Sequence, residues 1–275
     1  IYTAAAQSLQ AQLTQTAQAI SPSPQPTNPP ASSTPKPVVS QDDSPLGRSA
    51  GGRTIPMLRI GYVGEIAIVV VGSIDRTQTD TRDVINNLIR DYSSDSAQIP
   101  YGTSFYLIPS INPDGNANNY RFNDNNVDLN RNWDTENWTA NPPVPGYTQG
   151  KEGAGGPYPF SEPETEALRS LMLGINKIYQ KVILVILHST VNRTQGEVFS
   201  GYNSVGFDSE SKRLVNLMVS FLDYTYSTEW GDYDTPGEAI YWSVVNGMPA
   251  LDIVWPKNSP PPLQNLMDAF SSFVK

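Results

Sequence analysis

Residues 46–275 predict an α/β fold: a mixed, mostly parallel central sheet covered by helices on both faces. Three observations carry this. Strand-length apolar runs alternate with helix-length segments along the whole stretch. The runs EIAIVVVG and KVILVIL are apolar at almost every position, as strands covered on both faces require. The helical segments carry their own punctuation, a Ser161/Glu164 capping-box pattern at one start and Gly247 near one end.

Taken in order, EIAIVVVG is a strand, Thr81 to Tyr92 a helix and SFYLIP a strand. The Asn- and Asp-dense segment from Asn112 to Trp133 reads as a loop stiffened by side-chain turns. Ser161 to Gln180 is a helix, KVILVIL a buried strand, and Ser209 to Tyr226 a helix. Pro236 to Val245 is a helix, PALDIV a strand, and the last residues a helix. There is no internal repeat.

Two regions precede this domain. Residues 1–20 are rich in Ala, Leu and Gln, good helix formers, and carry no charge. Tyr2, Ala6, Leu9, Leu13, Thr16 and Ile20 form a seam of nearly three heptads. An isolated helix of that length is marginal in water, so three readings stand: packing on its own domain, contact with another copy or another protein, or a frayed end. Residues 21–45 are a Pro/Ser/Thr-rich linker that favours extended polyproline II and resembles segments that carry O-glycans in secreted proteins. Self-association through residues 1–45 and a secreted location are the expectations. The chain starts at Ile1 without a methionine, as a processed leader or a fragment would leave it.

Composition narrows the function classes. A formal net charge of −9 argues against a nucleic-acid partner. With no cysteine, disulfides and thiolate metal sites are excluded. The single histidine, His188, leaves any zinc site dependent on carboxylates. No apolar run is long enough for a transmembrane helix. Sequons at Asn137 and Asn192 are compatible with surface glycosylation.

Four places are candidates for chemistry. VVVGSIDRTQ places Asp75, Arg76 and Gln78 in the loop after a buried strand, where α/β proteins bind ligands. Arg121 and Arg131 are forked donors suited to a carboxylate, and Asn130 adds an amide. His188 sits where a buried strand leaves the sheet, a position that a hydrogen-bonded structural histidine fills as well as a ligand does. Tyr233, ahead of a helix, fits either a pocket cover or plain packing.

The segments LGRSAGGRTIPMLRIG, NPDG, VDLNRNW, FSEPETEAL, LHS and MPALDIVWP occur in the order found in the zinc carboxypeptidases of the carboxypeptidase A-like type, and residues 46–275 resemble that family. The resemblance implies that an H-x-x-E pair should bind zinc in the loop after the first strand. The chain has Asp75 and Gln78 there, while the third ligand position is matched by His188. The family's general-base glutamate falls on Val254, with Asp252 two residues earlier a poor stand-in. The substrate-holding positions are kept: Asn130 and Arg131 match the pair that grips a peptide's terminal carboxylate, and Arg121 the arginine that polarises the scissile carbonyl. Tyr233 matches the tyrosine that closes over substrate. Ile240 falls where side-chain preference is set and implies apolar terminal residues.

Zinc is therefore expected of the family and not of this chain, and no catalytic residue is assigned. A missing base alone removes a contribution of roughly 10²–10⁴-fold in rate. The leading expectation is a catalytically inactive carboxypeptidase-like protein serving as a secreted structural subunit of a filament or surface layer. The alternatives are a pseudoenzyme that binds peptide C-termini and an active metallocarboxypeptidase with an atypical metal site.

Overall fold

A computed structural model describes residues 40–74, 79–228 and 234–274. The expected helix 1–20 and all but the end of the linker 21–45 lie outside the described residues, as do Asp75, Arg76, Gln78 and Tyr233.

The strands are β1 (Ser40–Asp42), β2 (Gly47–Arg48), β3 (Thr54–Ile55), β4 (Leu58–Gly61), β5 (Ile66–Val71), β6 (Thr103–Ile108), β7 (Lys181–Thr190), β8 (Glu197–Ser200), β9 (Tyr202–Asn203), β10 (Gly206–Phe207), β11 (Thr225–Ser227) and β12 (Ala250–Pro256). The helices are α1 (Thr79–Ser94), α2 (Pro113–Asn118), α3 (Pro163–Ile175), α4 (Ser209–Leu222), α5 (Ala239–Val245) and α6 (Leu263–Ser272). Eight strands form one sheet in the order β1-β4-β6-β5-β7-β12-β8-β11. Its middle, β6-β5-β7-β12, is parallel throughout, while β1-β4, β4-β6 and β12-β8 are antiparallel. The mixed, mostly parallel sheet is thus present.

Its central strands explain the unbroken apolar runs. Along β7, Ile183, Val185 and Leu187 face one layer with α1, α4 and α6, while Val182, Leu184 and Ile186 face the other with α3 and α5. Each strand is buried twice, so alternation disappears from its sequence. On the α3/α5 side, His188 of β7 and Asp252 of β12 break the apolar pattern near the strand ends.

Several boundaries differ from the sequence reading. Ser40–Asp42, read as linker, is an edge strand paired with β4. NPDG, read as loop, opens the short helix α2, whose Asn112 accepts from Gly115 N at 2.8 Å. α3 ends at Ile175 rather than Gln180, and its capping box is absent. Ser161 Oγ donates to Glu162 Oε1 at 2.8 Å, and Glu164 Oε1 accepts from Ala50 N at 2.9 Å. The Ser-x-x-Glu pattern is spent on tertiary bonds because Pro163 starts the helix and the loop 49–53 arrives with free N–H groups. The helix from Ser209 stops at Leu222, where Asp223 turns left-handed (φ 56°), and Thr225–Ser227 joins the sheet as β11. The helix expected from Pro236 begins at Ala239.

The long irregular stretch 119–162 is pinned by one side chain. Asn132 donates to Gly155 O, Tyr158 O and Ser161 Oγ, and its Oδ1 accepts from Thr165 Oγ1 at 2.6 Å. Beside it, Glu164 is fully buried and also meets Asn123 Nδ2. Burial pushes its carboxyl up from 4.5 to about 7, against hydrogen bonds from Ala50 and Asn123 that hold it down. The folded state therefore holds a proton that the unfolded chain releases earlier. The stability this contributes is complete below about 4.5 and is lost as pH rises through about 7. Urea midpoints should fall between pH 5 and pH 8 by the equivalent of about 2–3 kcal/mol, and Glu164→Gln should flatten that fall. At the acid end Glu210 acts oppositely. Its bonds to Arg213 and then Lys181 hold it down to about 2, so its contribution is lost below 4.5.

Candidate carboxylate-binding site

The C-terminal ends of β5, β7 and β12 meet at one edge of the α3/α5 face, the position where open α/β sheets bind ligands. β7 and β12 deliver His188 and Val254 as in-register neighbours, with Asp252 one step back along β12 on the same face. His188 Nε2 lies 3.6 Å from Asp252 Oδ1. Both side chains are buried. β8 adds Glu197 opposite Val254, bound by Arg193 at 2.9 Å.

Over this edge lies the segment 128–133. Asp128, fully buried, accepts from Arg121 Nε at 2.8 Å and from Asn130 N at 3.0 Å. That bond turns the chain tightly so that Asn130 and Arg131 face α5. Asn130 Oδ1 accepts from Ala239 N at 3.2 Å, and Trp133 N donates to Gly237 O at 3.2 Å. Gly237 is required there: its φ is +72°, and a Cβ would sit 2.4 Å from Arg131 O.

Arg131 is 3% exposed, yet its bonds go to main-chain carbonyls, Asn130 O at 2.7 Å and Pro143 O at 3.4 Å. Among the described residues no carboxylate lies within ion-pair distance of it. A buried guanidinium with carbonyl contacts alone keeps donors for an anion.

Of the residues named from sequence, the structure sets Asn130 against the start of α5, with Arg131 next to it in the chain, and places His188 beside Val254 on neighbouring strands. Arg121 stands on their flank, committed to Asp128. Ile240 is buried in the apolar cluster under α5. Tyr233, Asp75 and Gln78 lie outside the described residues. Sequence reading missed Glu238 and Tyr202. Glu238, 1% exposed, precedes α5 without capping it and instead accepts from Tyr202 Oη and Thr235 Oγ1, both at 3.2 Å. Burial, followed by the Asp252 charge, raises the Glu238 carboxyl above the usual range, while Arg131 and His188 pull it back. Burial and then Glu238 hold the Tyr202 phenol in its protonated, donating form. The signal available in sequence was a glutamate directly before an apolar helix, which reads equally well as an ordinary helix start.

The zinc carboxypeptidase family model matches residues 43–244, and the chain belongs to that family. Its fold is similar to thrombin-activatable fibrinolysis inhibitor (17% identity, 85% of this chain and 68% of that one, TM-score 0.65). Carboxypeptidase A from Helicoverpa armigera is comparable (18% identity, 86% and 65%, TM-score 0.64). So is the murein-tripeptide amidase MpaA from Escherichia coli O157 (18% identity, 90% and 96%, TM-score 0.56). No curated protein matches the sequence.

The family's zinc does not fit the donor set present. The chain holds one imidazole, and its Nε2 already faces Asp252. No group of three or more metal-ligating side chains occurs among the described residues. The two positions that the sequence resemblance matches to the remaining ligands carry an aspartate and an uncharged glutamine. No helix among the described residues is long and apolar enough to cross a membrane.

Proposed function

We propose that the protein is a non-hydrolysing member of the zinc carboxypeptidase family that binds peptide-like ligands by their terminal carboxylate. The buried Arg131, hydrogen-bonded to carbonyls and in no ion pair among the described residues, supports this reading above all. Burial excludes competing water and strengthens each ionic hydrogen bond. Asn130, tied to Ala239, holds the grip against α5. The family resemblance assigns Ile240 to the terminal side chain and Tyr233 to the cover.

Hydrolysis needs an activated water and a base to take its proton. The position the family gives to the base is the aliphatic Val254, beside His188 and 1% exposed. His188 Nε2 and Asp252 Oδ1 face each other at 3.6 Å near the strand ends.

The test is a calorimetric titration of one peptide as its free acid and as its C-terminal amide, with zinc in the buffer and product release followed in parallel. The expected result is binding of the acid alone, without trimming. Equal binding of both forms refutes the grip, and steady release of the terminal residue refutes the loss of activity.

A further inference from the structure

We infer that the turn 123–128 gates the carboxylate grip by pH: Glu162 and Glu164, two buried acids held by the one side chain of Asn123, keep the turn closed in acid and release it in alkali. The inference rests on the grip at Arg131 and adds its regulation.

Asn123 ties the turn to the start of α3. Its Nδ2 donates to Glu162 Oε2 at 2.6 Å and to Glu164 Oε2 at 3.2 Å. Its Oδ1 accepts from Asn125 N at 3.1 Å and from Val127 N at 3.0 Å, which closes the turn. Asp128 comes next in the chain. Its carboxylate accepts from Asn130 N and Arg121 Nε, and its main-chain oxygen accepts from Arg131 N at 2.9 Å. On the far side of Arg131, Asn132 Oδ1 accepts from Glu162 N at 3.3 Å. A shift of the turn against α3 is therefore passed to Asn130 and Arg131 from both sides.

The charges around Asn123 do not balance. Glu162 is 2% exposed, and Glu164 and Asp114 are fully buried. Arg53, from the loop 49–53, is spent on Asp114 of α2 at 2.7 Å and on Asp124 of the turn at 2.8 Å. Among the described residues no cation lies within ion-pair distance of Glu162 or Glu164. A proton on Glu164 relieves the pair, and burial, with the Asp114 charge adding to it, keeps that proton bound up to about 7. Once it leaves, two like charges share one amide away from water. Their repulsion is relieved by water entering between the turn and α3. The closed turn and the protonated Glu164 favour each other, so ligand affinity is full below about 7 and falls as pH rises through it.

The experiment titrates one N-acetylated tripeptide, as free acid and as amide, into the full chain and into Glu164→Gln at pH 6 and pH 8.5. Arginine and a terminal carboxylate both keep their charge over this range, and Glu238 is the same in both proteins. The acid's affinity should fall about fivefold or more between the two pH values in the native chain, and less than about twofold in the variant. A native affinity that does not change with pH, or a fall equally steep in the variant, overturns the gate and leaves the grip intact. Acid no better than amide at pH 6 overturns the grip itself. NMR of the native chain decides the matter where the variant folds poorly. The Ala50 amide and the Asn123 side-chain amide should shift with the same midpoint as the affinity, and a separate midpoint overturns the gate.

Discussion

Replacing Arg131 by methionine abolishes the preference for peptide acids over amides. The acid's affinity should drop by at least about 30-fold and by as much as several thousand-fold, the range for truncating one member of a buried ionic pair (about 2–5 kcal/mol). The amide's affinity should barely change, because no charge is lost from its complex. Methionine has a stem of similar length, and Arg131's own hydrogen bonds are with main-chain carbonyls, so the fold should survive. Arg131→Lys should recover only part of the loss. An ammonium on this stem lacks the planar fork that meets two carboxylate oxygens at once. Titration of acid and amide against each variant, with circular dichroism as the folding control, reads the outcome. An Arg131→Met protein that still separates acid from amide would remove the central claim.

Trp133→Ala is the substitution with the largest expected cost in stability, about 3–5 kcal/mol. The indole is fully buried. It lies against Phe160 at 5.4 Å and Trp242 at 5.1 Å between ring centroids, and its Nε1 donates to Leu129 O at 2.9 Å. Phe160 is itself held at φ +58°, a conformation that a bulky residue adopts only where its ring is well packed. Alanine would remove the surface that keeps Phe160 there and open a cavity under α5. The same indole sits two residues beyond Arg131, so carboxylate binding should weaken even at temperatures where the domain stays folded. Thermal melting and the acid titration measure the two effects. A melting temperature lowered by less than a degree would show that the aromatic trio is not structural.

The fold was legible where burial is two-sided. EIAIVVVG, SFYLIP, KVILVIL and PALDIV are apolar because both layers contact them, and all four are central strands. The short edge elements were not legible. β1 and β11, at the two edges, carry Ser, Gln, Asp and Thr, since an edge strand meets water on one side and has no repeating pattern to display, and β8, one place in from the edge, is only four residues long. The helix ends misled for a different reason. Ser161 and Glu164 have the spacing of a cap, but Glu164 has a better use bonding the loop at Ala50, and spacing does not distinguish the two. Within the site, Asn130 and Arg131 were readable from the VDLNRNW context. Glu238 was not, because its meaning depends on Asp252 and Arg131, residues far away in sequence.

The placement of β12 has a consequence for how the chain acquires its shape. The last strand made is not at the margin of the sheet: it is inserted between β7 and β8, which are joined to each other only through it. Until residues 250–256 leave the ribosome, β7 and β8 each present an unsatisfied row of peptide groups next to apolar surface, an invitation to pair with other chains. Pairings this distant along the chain also close slowly. Folding of this domain should thus be limited by the insertion of residues 250–256, and His188 meets Asp252 only when that insertion is complete.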